Sequence, residues 1–504
     1  MFKDLGIGVR AAAVAAAVLA ATATSAATAQ AQTPIGVDRS CVEPAGDPAP
    51  GTREWIERDT RNQYCASLRN RDQLASPAFG FGNLTQGAAL YAEQMADQAG
   101  DPTNPRGGIT TLIPGAKAAD PFRTIKRWTE AGRGRVEPVS FKSLDGATLR
   151  GHVFVPPARL GKPKRGYPGV VITDGSVQAY EELYFWAAQD LAEAGYMVMT
   201  YDVQGQGDSD LFPEDCTPQD CPGVPYQQDH NFFQGAQDSL NFFLSEDNPY
   251  FTDLDRRRIG LAGHSLGARA VSHVGQCDRR VKAIVAWDNL QAIRDCDGVT
   301  IADEHRSDTL LHAPALGITN DYGFWTQPTL TPPNPEAKQA GYKQVRDAGL
   351  DAQTVALRAA THLAYTYIPL VFQSNQLGER MASYYTRAWF DLHLRGKRKG
   401  FRRLTAERFD ASADKDIGAG TYDPAKADPA DPYAGNVPYA IEGIDVRDAV
   451  SFYYRSSYSL RDPRTGRRQA CEDMRDGCPA PAAKSRAKTK AKAKAGRSGA
   501  SAGR

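Results

Sequence analysis

Between residues 136 and 400, short apolar runs alternate with longer stretches whose apolar residues return every three or four positions. A period of two, or a fully apolar run, suits a strand, and a period near 3.6 suits a helix. "VEPVSFKSLDGATLRGHVFVPP" reads as two strands joined at Leu144-Asp145-Gly146, a hairpin signal. "YPGVVITDGS" is a buried strand running into a loop. The next segment places Leu183, Ala187, Leu191 and Ala194 on one helical face, with Gly195 as its stop. "YMVMTYDVQGQGDSD" is a strand and a Gly/Asp loop, followed by a helix carrying Phe233, Ala236, Leu240 and Phe243 on one face. "RRIGLAGHS" is a strand, "LGARAVSHV" a helix, and "VKAIVAWDNL", "APALGITNDYG" and "TVALRAATHL" are three more strands. A helix bearing Met381, Tyr385, Ala388 and Leu392 closes the series. Strands alternating with amphipathic helices predict an α/β domain, a mostly parallel, doubly wound sheet covered on both faces. Ligands in such sheets bind at the carboxyl ends of the strands. No internal repeat is visible.

The flanks differ in character. Lys3 and Arg10 precede an alanine-rich apolar run that ends at Ala29-Gln30-Ala31, so residues 1–31 are expected to be a secretory signal peptide. Residues 32–135 are polar, with helical stretches such as "NLTQGAALYAEQMADQ", and read as an N-terminal extension or lid. Residues 136–400 form the main domain. Residues 401–480 begin Asp-, Pro- and Gly-rich and are expected to pack back on the core as a C-terminal extension. The Asp cluster lacks the ligand spacing of an EF-hand and reads as a solvated loop. Residues 481–504 form a basic tail, expected to be disordered.

Export changes how the cysteines are read. All eight follow Ala31 and fall into four neighbouring pairs: 41–65, 216–221, 277–296 and 471–478. Proximity suggests disulfides within these pairs, and the spacing does not resemble a zinc site. The total charge is +1. The leader carries +1 and the tail eight positive charges, which leaves the body near −8. A nucleic-acid protein carries basic charge on a folded face, so that class is not expected. The tail could touch an anionic cell envelope. After the leader no stretch reaches the ~20 apolar residues of a membrane span.

The candidate chemistry centres on "GLAGHSLGA". Gly263-His264-Ser265-Leu266-Gly267 lies where the strand Ile259 to Ala262 becomes a helix, the setting of a nucleophile elbow. A serine hydroxyl needs a general base, and the base needs an orienting carboxylate. In this architecture the order is Ser, acid, His. His362 follows the last strand and is the expected base. His273, His305, His312 and His393 lie on helices or ahead of the acid strand. Two strand ends supply a carboxylate, Asp321 and Asp288; Asp321 is favoured and Asp288 is the alternative. An oxyanion needs backbone donors. Leu266 N–H is one candidate, and Ser176 or Val177, after Asp174-Gly175, the other. Tyr180, Tyr322, Phe324 and Trp325 are candidates to line a substrate pocket.

"GYMVMTYDVQGQGDSD", "GLAGHSLGA", "ALGITND" and "ATHLAYT", in this order, resemble the α/β-hydrolase superfamily over about residues 136–400. Within it the chain is most similar to dienelactone-hydrolase-like and cutinase-like secreted esterases. That resemblance implies Ser265, Asp321 and His362 as the triad and Trp287 as a residue flanking the substrate. Asp174-Gly175 departs from the His-Gly of related oxyanion loops, and Gly267-Ala268 from Gly-Gly. The expectation is a secreted serine hydrolase acting on carboxylic esters without a cofactor or metal. The alternatives are a serine peptidase or amidase of the same fold and, from another class, a non-catalytic binding protein on a hydrolase scaffold.

Overall fold

The computed structural model describes residues 48–74, 123–176, 179–213, 229–288, 290–331, 333–366, 376–410, 421–422, 436–437 and 441–479. The leader, the 83–98 stretch, Cys41, Cys216, Cys221, Val177, most of the Asp-rich segment and the basic tail lie outside them.

The strands are β1 (Arg135–Lys142), β2 (Thr148–Val155), β3 (Tyr167–Thr173), β4 (Met197–Tyr201), β5 (Leu254–His264), β6 (Val281–Trp287), β7 (Ala315–Asn320), β8 (Ala352–Leu357), the short pair β9 (Thr421–Tyr422) and β10 (Asn436–Val437), β11 (Ser457–Arg461) and β12 (Arg468–Cys471). Among the described residues the main sheet runs β1-β2-β4-β3-β5-β6-β7-β8-β11-β12. The stretch β4-β3-β5-β6-β7-β8 is parallel. Antiparallel strands flank it: the β1–β2 hairpin on one edge, and β11 and β12 on the other. Gly146, at φ 91°, supplies the left-handed residue of the hairpin turn.

The pleat explains the two covered faces. In β3, Val170 and Ile172 point to one interior cluster and Val171 to the other; β5 splits Ala262 from Ile259 and Leu261 in the same way. The helices are α1 (Arg53–Leu74), α2 (Ile125–Glu130), α3 (Phe185–Glu193), α4 (Asp229–Phe243), α5 (Leu266–Cys277), α6 (Ala340–Asp347), α7 (Gln376–His393), α8 (Arg398–Leu404) and α9 (Val446–Ala449). The first face is covered by α3 and α7, through Trp186, Leu191, Tyr385 and Trp389. The second is covered by α4 and α5, through Phe232, Leu240, Val271 and Val274. The buried stripe of α4 starts at Phe232, not at Phe233 as its period suggested; Phe233 is only half-buried, packed at the edge of that cluster toward α5.

The chain order around β3 positions the site. From β3 the chain steps to β4 on one side, then crosses to β5 on the other. Connections leaving β3 and β5 in opposite directions open a crevice at their carboxyl ends, where a ligand can enter. The β3 end leads to Asp174-Gly175-Ser176 and the β5 end to Ser265.

The disulfide Cys277–Cys296 ties the end of α5 to the loop after β6, and Cys471–Cys478 ties β12 to the segment following it. Cys65 is also disulfide-bonded. Two such bonds fit an extracellular protein. Among the described residues no helix is long and apolar enough to cross a membrane.

Candidate active site

Ser265 sits between β5 and α5 at φ 56°, ψ −118°, a left-handed conformation unusual for a residue with a Cβ. The glycines around it are needed for close approach. A Cβ on Gly267 would stand 2.1 Å from the Asp174 carbonyl oxygen, and one on Gly263 would stand 2.5 Å from that of Gly267. The first turn of α5 can therefore press against the β3 loop, with the serine held in a sharp bend above the sheet.

His362 opens a 3-10 turn after β8. Its Nε2 lies 3.0 Å from Ser265 Oγ, placed to accept the hydroxyl proton. Its Nδ1 donates to Asp288 Oδ2. The other Asp288 oxygen accepts Asn320 Nδ2 at 2.9 Å and Thr319 Oγ1 at 3.2 Å. Burial alone would raise the Asp288 pKa; the hydrogen bond and charge of His362 outweigh it and hold the carboxyl below the ordinary aspartate value.

Asp288, not the favoured Asp321, is therefore the carboxylate beside His362. Register supplies the reason. His264 pairs with Trp287 across β5 and β6, and Trp287 with Ile318 across β6 and β7. Asp288 thus stands level with Ser265 on the adjacent strand, and its backbone at φ 67° turns it over the sheet end. Asp321 lies one strand farther away and two residues higher. Its Oδ2 accepts Asn62 Nδ2 of α1 and the Ala359 N–H, each at 2.7 Å. Burial raises its pKa.

The substrate-lining expectations are corrected at most positions. Trp287 is fully buried, stacked with Tyr184 and bonded through Nε1 to Thr386 Oγ1 at 3.0 Å. An inward position at the end of β6 leaves it no face toward the crevice. Tyr180 is likewise interior. Tyr322 turns away from the crevice, its hydroxyl bonded to Asp59 and Asn62 of α1. Trp325 is exposed and packs beside Phe324, whose ring centre lies 4.5 Å from that of His362.

The cavity above Ser265 has a volume of about 640 Å³. Besides Ser265 and His362 it is lined by Phe233, Leu266, Arg269, His273 and residues of the 291–297 loop. Sequence reasoning missed Arg269 and His273 as cavity residues. Their spacing of four and eight from Ser265 on α5 is the signal that puts them on the same face as Ser265. Phe233 and His273 stack at 4.6 Å, and the Arg269 guanidinium lies over the Phe233 ring while pairing with Asp229.

Leu266, the first residue of α5, presents its N–H at a helix N-terminus beside Ser265. Gly175 N–H is already used, donating to the Tyr184 hydroxyl at 3.0 Å. Ser176, the other candidate that the structure describes, is half-buried, and Val177 lies outside the described residues. Gln206 Nε2 steadies the loop through the Gly175 carbonyl at 2.8 Å and Asp174 Oδ2 at 3.1 Å. Among the described residues no cluster of three His, Cys, Asp or Glu could hold a metal ion.

No known family profile matches the chain. A thiohydrolase, apmlB, of Arthrinium phaeospermum is 31% identical over 153 residues, covering 30% of this chain and 43% of that protein. An alpha/beta hydrolase, ucsC, of Acremonium sp is 29% identical over 181 residues, 34% of each chain. The likeness is to α/β hydrolases. A hydrolase, ORFZ, of Pyricularia oryzae is 30% identical over 191 residues, 36% of this chain and 40% of that protein. The match spans less than half the length of each of these relatives. Together they support the α/β-hydrolase superfamily and a hydrolase function.

Proposed function

We propose that the protein is a secreted serine hydrolase of the α/β-hydrolase fold that cleaves carboxylic esters, with Ser265 as nucleophile, His362 as general base and Asp288 as the orienting acid. The division into a leader, flanking extensions and a catalytic domain is part of this reading. The observation that carries it is the chain from Asp288 through both nitrogens of His362 to Ser265 Oγ at 3.0 Å, opening on the cavity.

Ser265 Oγ attacks the acyl carbon as His362 Nε2 takes its proton. The carbonyl electron pair moves onto oxygen, which in this reading accepts from Leu266 N–H and from the N–H of Ser176 or Val177. Collapse expels the alcohol, protonated by His362, and leaves an acyl-serine. Water, deprotonated by His362, then attacks that ester and releases the acid with Ser265 restored. Asp288 stays ionised throughout and stabilises the imidazolium.

One relative is named a thiohydrolase, so thioesters are the second substrate class to test; the acyl steps are the same. The experiment compares matched oxygen ester, thioester and amide substrates with wild type and Ser265→Ala. Ester turnover lost in Ser265→Ala, with fluorophosphonate labelling lost alongside, supports the reading. Turnover retained in Ser265→Ala overturns it. Labelling absent from wild type favours a binding protein.

A further inference from the structure

His264 fills the variable position of the Gly-x-Ser-x-Gly elbow, yet it faces the interior and touches neither the cavity nor Ser265 Oγ. Its two nitrogens are both engaged. Nε2 lies 2.9 Å from the carbonyl oxygen of His362, and Nδ1 lies 2.9 Å from the hydroxyl of Tyr184. That hydroxyl in turn receives Gly175 N–H at 3.0 Å. A carbonyl can only accept, so Nε2 carries the proton of the imidazole. Nδ1 then has a lone pair and accepts Tyr184 O–H, which leaves the phenol oxygen free to accept Gly175 N–H. Every donor in the chain has one acceptor, and the direction is fixed throughout. Burial pushes the His264 pKa down to about 3, so the ring stays neutral and this direction holds at working pH.

The two ends of this chain are the two walls of the reaction centre. At one end is Gly175, directly before Ser176, an oxyanion donor candidate in that reading; a Cβ on Gly175 would stand 3.2 Å from Ser265 Cβ. At the other is the backbone of His362. We propose that His264 and Tyr184 are positioning residues, a buried hydrogen-bond strut that sets the oxyanion loop against the general base across Ser265. Neither residue touches substrate. They act by holding Ser176 N–H and His362 Nε2 at the spacing that the tetrahedral intermediate requires, a spacing that matters because small misplacements cost rate steeply. The surrounding packing supports the strut: Tyr184 stacks on Trp287, and the His264 ring meets those of His362 and Tyr365 at 4.7 and 5.6 Å.

The inference rests on the serine hydrolase reading, and the test separates the two. Tyr184→Phe removes one oxygen and keeps the ring. With p-nitrophenyl butyrate it is expected to lower kcat about 10- to 100-fold with KM within about two-fold. Affinity for an aliphatic trifluoromethyl ketone, which forms a tetrahedral adduct on Ser265, should fall by the same factor, with the thermal midpoint little changed. His264→Gln keeps an amide donor for the His362 carbonyl, while its Oε1 does not stand where Nδ1 accepted Tyr184 O–H. Combined with Tyr184→Phe it should cost no more than the worse single change, because both cut one chain. An active wild type with Tyr184→Phe kcat within two-fold of it overturns the strut alone. So do single losses that multiply in the double variant, or that follow the thermal midpoint. If His264→Gln fails to fold, the kcat-against-KM split of Tyr184→Phe decides. A wild type that neither turns over any ester nor takes fluorophosphonate overturns the hydrolase reading and the strut with it.

Discussion

Asn320 Nδ2 donates to Asp288 Oδ1 at 2.9 Å, on the carboxylate oxygen that does not face His362. Asn320 is held in its turn by the Tyr365 hydroxyl, 2.5 Å from its Oδ1, and Tyr365 lies three residues after His362. The Asp288 carboxylate is thus fixed from β7 and from the turn that carries His362. Asp288→Asn should keep the fold and lower kcat by about 10³- to 10⁴-fold, since an amide can stabilise neither the correct tautomer nor the imidazolium. Steady-state kinetics on a p-nitrophenyl ester checks this. Asp321→Asn should leave kcat within about three-fold, because its partners belong to α1 and the Ala359 backbone. A collapse of kcat in Asp321→Asn with Asp288→Asn active would return the acid role to Asp321.

The left-handed backbone at Ser265 predicts an inverted stability order. Glycine ordinarily costs stability relative to alanine through its freedom in the unfolded chain. At φ 56° an alanine keeps the Cβ clash that glycine avoids. Ser265→Gly should therefore unfold at a higher temperature than Ser265→Ala, by about 1 kcal/mol in stability, with both inactive. Calorimetry of the two variants is sufficient, and the ordinary order would contradict the strain.

Asp174 is buried at the end of β3, and Oδ1 has no partner among the described residues. Burial raises its pKa well above the ordinary value of 3.8. A carboxyl whose folded pKa is raised favours the folded state at low pH. That contribution is lost as pH rises from the unfolded value through the folded one. Asp174→Asn should therefore raise the thermal midpoint at pH 8 and give no gain near pH 4. Melting curves at the two pH values read this directly; an equal gain at both would remove the charge as the cause.

His264 shifts the other way. Its folded pKa, near 3, lies below the unfolded value of 6.5, so its contribution is complete above 6.5 and is lost as pH falls from there toward 3. Wild type should lose thermal stability across that window, and His264→Gln should lose less. The slope of midpoint against pH, not its absolute value, is the quantity to compare.

Cys277–Cys296 closes a 19-residue separation and holds the 291–297 loop that lines the cavity. Replacing both with alanine should cost about 3 kcal/mol by the chain-entropy account. It should also raise KM more than it lowers kcat, because the loop touches the cavity and not the reacting groups. An unchanged KM would show that the loop keeps its shape without the bond.

The periods of two and 3.6, the hairpin turn at Gly146, the elbow glycines, Ser265 and His362 were all legible in the chain, because each depends on near neighbours and on backbone geometry. The leader, the tail and the cysteine pairs at 41–65 and 216–221 were read from composition and spacing, and involve residues outside those the structure describes. What the chain could not declare was set between strands. Two aspartates end neighbouring strands, and only the register of β5, β6 and β7 places Asp288 level with Ser265, while α1 occupies Asp321. Trp287 was implied as a substrate residue by the family resemblance and Tyr322 by its place after a candidate acid, yet pleat direction and the packing of α1 turn them away. Arg269, His273 and Phe233 reach the cavity because two helices meet over it. Local pattern determines which element forms and where its reactive residue sits; which side chains then meet is decided by register and by what packs on each face, and a linear chain carries neither.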